Sequence, residues 1–261
     1  MATISITAII PTLNNTQGLY KLAKELKVMA MPVVVIDNQP TAAKEKFLKQ
    51  NRLIYLPQTQ NLGFAAAINL GAQQVKTEWL LILNDDVSGI TRSSANQLIS
   101  DSLKHDWIAA APVLVNLSGQ IENIGYRVLP RGKVELNFDP KNQSEAGLDG
   151  LTAACLLINT KVFRQMGGFD EHFFAYLEDV DFCLRLKQAG YHFGVVTEIR
   201  MTHQRLTTSR RMNKRFKARL DLINWWRLTL KHPKRFIKPT TLPQFIIERG
   251  RNFSGFIKTD S

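Results

Sequence analysis

Between Phe173 and Gly190 the chain reads FFAYLEDVDFCLRLKQAG, which places Glu178, Asp179 and Asp181 together among residues of core type. Carboxylates this close repel one another, and burying them is costly unless a cation or hydrogen-bond donors compensate. A plain account is a helix whose acidic first turn suits the positive end of its dipole, with Asp181 paired to Arg185 one turn on. That account serves Asp181, and part of Glu178, but gives Asp179 no task. A second acidic run, LILNDDV, delivers Asn84, Asp85 and Asp86 after an apolar stretch. Such a group presents oxygen ligands to a hard cation such as Mg²⁺ or Mn²⁺, which in turn can hold a diphosphate.

These residues need elements to carry them. The runs ISITAII (4–10), PVVVID (32–37), RLIYLP (52–57) and EWLLILN (78–84) read as buried strands, with helices near 16–30, 41–50 and 63–76 between them. Strand and helix alternating at this rhythm specify an α/β fold with a mostly parallel, Rossmann-like sheet flanked by helices. In such sheets ligands bind beyond the carboxyl ends of the strands. There the chain places PTLNN, DNQP, QTQNLGFA and NDD, four polar segments converging on one crevice. Further strands are expected at 107–116, 150–159 and 192–197, with short strands and a loop over the site in 117–149. From Arg210 onward, apolar residues at steps of three and four among Lys and Arg predict a basic amphipathic helix.

The chain has 261 residues, 44% hydrophobic and 21% charged, a composition that excludes general disorder. Its net charge of +12 is concentrated at one end: residues 200–261 hold 16 Lys/Arg against 3 Asp/Glu, and residues 1–199 hold 18 against 19. A near-neutral body with a basic tail argues against a nucleic-acid groove over the main domain. We therefore expect a main domain over 1–209 and a basic extension over 210–261. Cys155 and Cys183 lie in apolar surroundings without metal-ligand spacing and read as reduced core residues of a cytosolic protein. No apolar run reaches the roughly eighteen residues needed to span a bilayer, and MATISITAIIPT reads as a first strand rather than a signal peptide.

IIPTLNN (9–15), VVIDNQPT (34–41), NLGFAAAINLG (61–71), LLILNDDV (80–87), GGFDEHFFAYLEDVDFCLRLKQAGY (167–191) and HQRLTTS (203–209) together resemble the inverting glycosyltransferases of family 2, which have the nucleotide-sugar-binding GT-A fold. The resemblance covers roughly residues 4–210, and NLGFA with FFAYLEDVD is most similar to the rhamnosyltransferase-like branch that builds bacterial surface polysaccharides. It implies that Thr12 and Asn14 line the nucleotide pocket, that Asp37 accepts a hydrogen bond from a uracil or thymine N–H, and that Asn61 and Gly63 approach the ribose and diphosphate. It implies Asp86 and His203 as metal residues, Asn84 and Asp85 on the nucleotide-sugar side, and Asp179 as the catalytic base. The implied cofactor is Mg²⁺ or Mn²⁺, the donor UDP- or dTDP-linked, and the acceptor a saccharide or a lipid-linked saccharide. DNQP lacks the usual serine, NLGFAAAIN has alanine where glycine is frequent, and HQRLTTS lacks the usual glycines.

The tail bears on the acceptor. A basic helix with Trp225 and Trp226, followed by KHPKRFIK, can lie on an anionic membrane, which would make the protein cytoplasmic and peripheral on the inner face. Alternatively its apolar stripe packs on the catalytic domain. Two other functions compete with sugar transfer. A nucleotidyltransferase would typically carry Lys or Arg in the loop after the first strand, and PTLNNTQG has neither. A non-catalytic nucleotide- or partner-binding protein would leave the acid set without a use.

Overall fold

The computed structural model describes residues 5–139, 141, 147–204 and 213–257. Four strands, β1 (Ile6–Thr12), β2 (Val33–Asp37), β3 (Ile54–Pro57) and β4 (Trp79–Leu83), pair in parallel in the order β3-β2-β1-β4. Every residue of β2 and β4 is buried. Their unbroken apolar runs are what a sheet covered by helices on both faces demands. The covering helices are α1 (Thr16–Val28), α2 (Ala42–Gln50) and α3 (Gly63–Gln74). Asn15 and Thr41 cap the first two through side-chain oxygens. At the start of α3, Asn61 Oδ1 accepts from Gly63 N at 2.9 Å, and the Phe174 carbonyl accepts from Phe64 N at 2.6 Å and Ala65 N at 3.2 Å. Two of the orphan donors of this helix are thus satisfied from the other half of the chain.

The second half comprises β5 (Val87–Ser88), α4 (Arg92–Lys104), β6 (Trp107–Val115), β7 (Ile121–Asn123), β8 (Tyr126–Leu129), β9 (Lys133–Leu136), β10 (Cys155–Asn159), α5 (Thr160–Gln165), a 3₁₀ turn (Glu171–Phe173), α6 (Glu178–Gln188) and β11 (His192–His203). Among the described residues the sheet has nine strands and continues β4-β10-β6-β11-β5, with β7 beside β6. Here it is mixed: β10 is antiparallel to both neighbours, whereas β11 runs parallel to β6. The strand expected over 150–159 starts only at Cys155, leaving Leu151–Ala154 as a loop. The strand expected over 192–197 instead runs on to His203, shifting register between Val196 and Arg200. It persists because Thr202 and His203 pair with Ser88 and Val87 on its other edge. That pairing carries His203 to the end of β4.

Three helices follow among the described residues: α7 (Lys214–Lys231), α8 (Pro233–Phe236) and α9 (Leu242–Ile257). The expected amphipathic pattern from Arg210 to Met212, and HQRLTTS beyond Gln204, lie outside the described residues. The extension packs on the α/β body: Trp225 and Leu228 of α7, Phe236 of α8 and Phe245 of α9 share an apolar cluster with Phe173, Val180 and Leu184. Trp225 is buried, whereas Trp226 is 47% exposed.

A buried ionic knot ties the extension to α6. Asp181 is fully buried and accepts hydrogen bonds from Arg185 Nε at 2.8 Å and Lys231 Nζ at 2.9 Å, and lies 2.9 Å from His232 Nε2. Burial alone would raise its pKa, but the His232, Arg185 and Lys231 partners together hold it below the usual value. Removing one member of such a cluster leaves the others facing a low-dielectric void. Asp181→Ala is therefore expected to destabilise the fold by about 3 kcal/mol, read as a lower urea midpoint at pH 7.

Candidate active site

Beyond the carboxyl ends of β1, β2 and β4 lies a cleft of about 930 Å³. It brings together Thr12, Asn61, Gly63, Asn84, Asp85, Asp86, Asp179 and His203 from segments spread over the chain. Asn14 and Asp37 lie outside its lining. Asn14 is exposed, and the neighbouring Asn15 has the inward role, donating to the Asp85 carbonyl at 2.9 Å. Asp37 is fully buried, with Oδ1 on Lys44 Nζ at 2.5 Å and Oδ2 accepting from Tyr55 at 3.1 Å. Asn38 lines the cleft beside it and ties the end of β2 to the start of α3, its Oδ1 accepting from Leu62 N at 3.1 Å.

The end of β4 divides into two carboxylates with different surroundings. Asp85 is buried, and Thr12 Oγ1 donates to its Oδ2 at 2.6 Å. This joins the ends of β1 and β4 and makes Asp85 a strut. Burial pushes its pKa up to about 7 despite the hydrogen bonds from Thr12 and Asn15. Asp86 faces His203, whose Nε2 lies 3.3 Å from Asp86 Oδ1 and whose Nδ1 lies 3.4 Å from Glu122 Oε2. Asp86 Oδ1 and His203 Nδ1 are buried and make no hydrogen bond to the described residues. Buried polar atoms in that condition need a partner. Asp86 offers a carboxylate oxygen, which suits Mn²⁺ or Mg²⁺, and His203 Nε2 beside it adds an imidazole nitrogen, which Mn²⁺ accepts more readily than Mg²⁺. Among the described residues no three His, Cys, Asp or Glu side chains form a complete cage. A cation held by few side chains and completed by substrate phosphates fits that arrangement. Glu122 lies in the 117–149 stretch, where the sequence specifies only short strands and a loop and singles out no site residue.

The opposite wall is the start of α6. Asp179 Oδ1 accepts from Val180 N at 2.9 Å and Oδ2 from Ala153 N at 3.2 Å, so the loop before β10 orients the carboxylate. Glu178 is buried, and its Oε2 has no hydrogen-bond partner. Burial raises the pKa of both acids, and for Glu178 the adjacent Asp179 charge adds to the effect. The turn that aims them runs through positive φ at Phe174, Tyr176 and Leu177. Asn224 of α7 holds this turn, its Nδ2 lying 2.9, 2.8 and 2.9 Å from the carbonyls of Phe173, Ala175 and Tyr176. Gly63 serves the same turn: with φ of +80°, a Cβ there would come within 2.5 Å of the Phe174 carbonyl oxygen. The missing side chain at Gly63 makes room for Phe174, and Gly63 itself lines the cleft.

A Rossmann-like sheet, with acids and a histidine converging at its strand ends, defines an α/β protein with a site at the place where such sheets bind ligands. Its fold is shared with a mannosyltransferase from Pyrobaculum calidifontis in complex with GDP-Man and Mn²⁺, with a TM-score of 0.61 and 13% identity over 98% of this chain and 72% of that one. It is shared too with S. aureus TarS 1-349, with a TM-score of 0.59 and 14% identity over 98% of this chain and 80% of that one. Residues 7–88 match the family model for glycosyl transferase family 2, and residues 151–230 match that for glycosyl transferase family group 2. The chain belongs to the family 2 glycosyltransferases.

Its relatives include the O-antigen biosynthesis protein RfbC of Myxococcus xanthus, 26% identical over 68% of this chain and 15% of that protein. The low-salt glycan biosynthesis hexosyltransferase Agl10 of Haloferax volcanii is 23% identical over 73% of this chain and 64% of its own. The N-acetylglucosaminyl-diphospho-decaprenol L-rhamnosyltransferase of Mycobacterium tuberculosis is 27% identical over 65% of this chain and 63% of its own. The chain thus spans less than two thirds of each of these relatives.

The buried Glu178, whose Oε2 lacks a hydrogen-bond partner, generates a stability prediction. Its folded pKa lies above its ordinary value of 4.5, so below that pH both states are protonated and the carboxyl costs nothing. As pH rises past 4.5 the unfolded state ionises more readily, and stability is lost. Glu178→Gln escapes this cost and is expected to stabilise the fold at pH 8 by about 1 kcal/mol or more. Denaturant titrations at several pH values check this, the gain shrinking towards pH 4.5.

Proposed function

We propose that the protein is a metal-dependent, inverting glycosyltransferase that moves a sugar from a UDP- or dTDP-linked donor to a lipid-linked saccharide, in the synthesis of a cell-surface polysaccharide. The observation that carries this reading is one cleft in which the Asp86–His203 pair stands at the strand ends and Asp179 on the opposing helix. Rhamnose is the first donor sugar to test, because a relative is named as an L-rhamnosyltransferase.

Asp86 and His203 would hold the divalent cation, which when bound supplies a Lewis acid for the charge on the departing diphosphate. Thr12 and the Asn38-tied loop shape the nucleotide end of the cleft. Asp179 takes the proton of the acceptor hydroxyl as that oxygen bonds to the anomeric carbon and the carbon–oxygen bond to the diphosphate breaks. Attack from the face opposite the leaving group inverts the anomeric centre. The raised pKa makes Asp179 a stronger base than an ordinary aspartate.

The membrane part of the reading rests on the extension. Among the described residues no helix is long and apolar enough to cross a bilayer. Helix α9, however, exposes Leu242, Ile246, Phe253 and Ile257 along one stripe, and residues 213–257 hold 11 Lys/Arg against 2 Asp/Glu. An apolar stripe in a cationic setting suits the surface of an anionic bilayer. Such a protein would be cytoplasmic and peripheral, reaching its acceptor at the inner face.

Asp179→Asn is expected to lower kcat by about 100-fold or more while leaving nucleoside diphosphate affinity nearly intact. Asp86→Ala is expected to weaken both turnover and Mn²⁺-dependent nucleotide binding; normal turnover of Asp179→Asn would reject the base assignment. In the wild type, kcat/KM should fall on the acid side with an apparent pKa above the ordinary aspartate value of 3.8. For the membrane surface, the full chain should float with phosphatidylglycerol vesicles and Ile246→Glu/Phe253→Glu should not, and equal recovery would reject it.

A further inference from the structure

Helix α7 turns one face into the active-site cleft through Lys214, Lys217, Ala218 and Asp221, spaced one helical turn apart. Lys214 and Lys217 are exposed, and neither lies within ion-pair distance of a carboxylate among the described residues. The acid on that face, Asp221, accepts a hydrogen bond from Asn252 and feels the charges of both Arg249 and Lys217. Two cations therefore line a cleft whose other wall is acidic.

Their position relative to the base is set by packing. Asn224, further along α7, holds the carbonyls of the turn that leads into α6. Lys217 Nζ lies 5.4 Å from the centroid of the Tyr176 ring, and Tyr176 stands three residues before Asp179. The lysines thus stand on the side of the cleft where the acceptor hydroxyl must meet its base. The donor diphosphate is assigned to the strand ends with Asp86 and His203. Val134 and Leu136 of the β8-β9 hairpin add apolar lining to the same cleft. Cations beside apolar side chains match the chemistry of a phosphate with a hydrocarbon chain attached.

We propose that Lys214 and Lys217 form a phosphate-recognition site for the acceptor, taking the phosphate or diphosphate that joins its saccharide to the lipid carrier. The proposal rests on the transferase reading above and adds the selectivity for a phosphorylated acceptor. Ammonium groups act on phosphate as point charges, and removing the charge-assisted hydrogen bond of either lysine lowers affinity by about tenfold or more.

The test is equilibrium binding of two probes to the full-length chain by calorimetry. One probe is a short-chain alkyl N-acetylglucosaminyl diphosphate and the other is the matching phosphate-free alkyl glycoside. Wild type should bind the diphosphate probe at least about tenfold more tightly. Lys214→Ala/Lys217→Ala should abolish that preference, and Lys214→Arg/Lys217→Arg should keep it. Raising the salt concentration should erode the wild-type preference. Equal binding of both probes by wild type, or a preference that survives the double alanine change, overturns the proposal. Loss of affinity for UDP or dTDP instead of the acceptor probe also overturns it, because the lysines would then serve the donor. If the probe preference behaves as expected but no nucleotide sugar supports transfer, the transferase reading fails while the phosphate site stands.

Discussion

The site depends on one strained turn and on what holds it. Residues Phe174, Tyr176 and Leu177 all take positive φ, a region that costs a non-glycine residue about 1–2 kcal/mol. The turn persists because it is gripped from two sides. The Phe174 carbonyl terminates α3 by accepting from its first free N–H groups, and Asn224 binds three neighbouring carbonyls from the far side. Gly63 is the complement to this arrangement, since a side chain there would collide with Phe174. The parallel half of the sheet, the acidic helix and the extension are thereby locked through a few residues of backbone. Asp179 is aimed by that lock.

Around this turn the chain treats its buried acids in three ways. Asp181 is surrounded by Arg185, Lys231 and His232, and its pKa falls. Asp85 is braced by the Thr12 hydroxyl and the Asn15 amide, and burial still raises its pKa. Glu178 and Asp179 have no ion-pair partner among the described residues, and both are raised. Compensation is thus complete where an acid holds helices together and withheld where the cleft opens. That is the pattern expected when a carboxylate is kept for chemistry, because a neutralising partner would remove its basicity.

The extension joins these two themes. It shares an apolar cluster with α6, supplies Lys231 and His232 to Asp181, and supplies Asn224 to the turn. Its first helix also forms part of the cleft wall. The basic tail and the near-neutral body seen in the charge distribution are therefore mechanically one unit among the described residues. Trp225 is buried in that junction, whereas α9 leaves Leu242, Ile246, Ile247, Phe253 and Ile257 to solvent.

Much was legible in the sequence because local patterns carried it. The first four strands, the helices between them and the polar strand ends follow from apolar runs and turn chemistry, both of which are short-range properties. The Asp181–Arg185 pair follows from helical spacing alone. Tertiary structure decided the rest. Whether Asn14 or Asn15 faces inward depends on how the loop after β1 docks against Asp85. His203 reaches Asp86 because β11 is extended by pairing with β5 on its far edge, although the two strands lie far apart along the chain. Glu122 and Asn224 enter through the same long-range geometry. Spacing along a chain specifies which residues share a helix or strand face; which faces then meet is set by packing and by the partners that buried polar groups find.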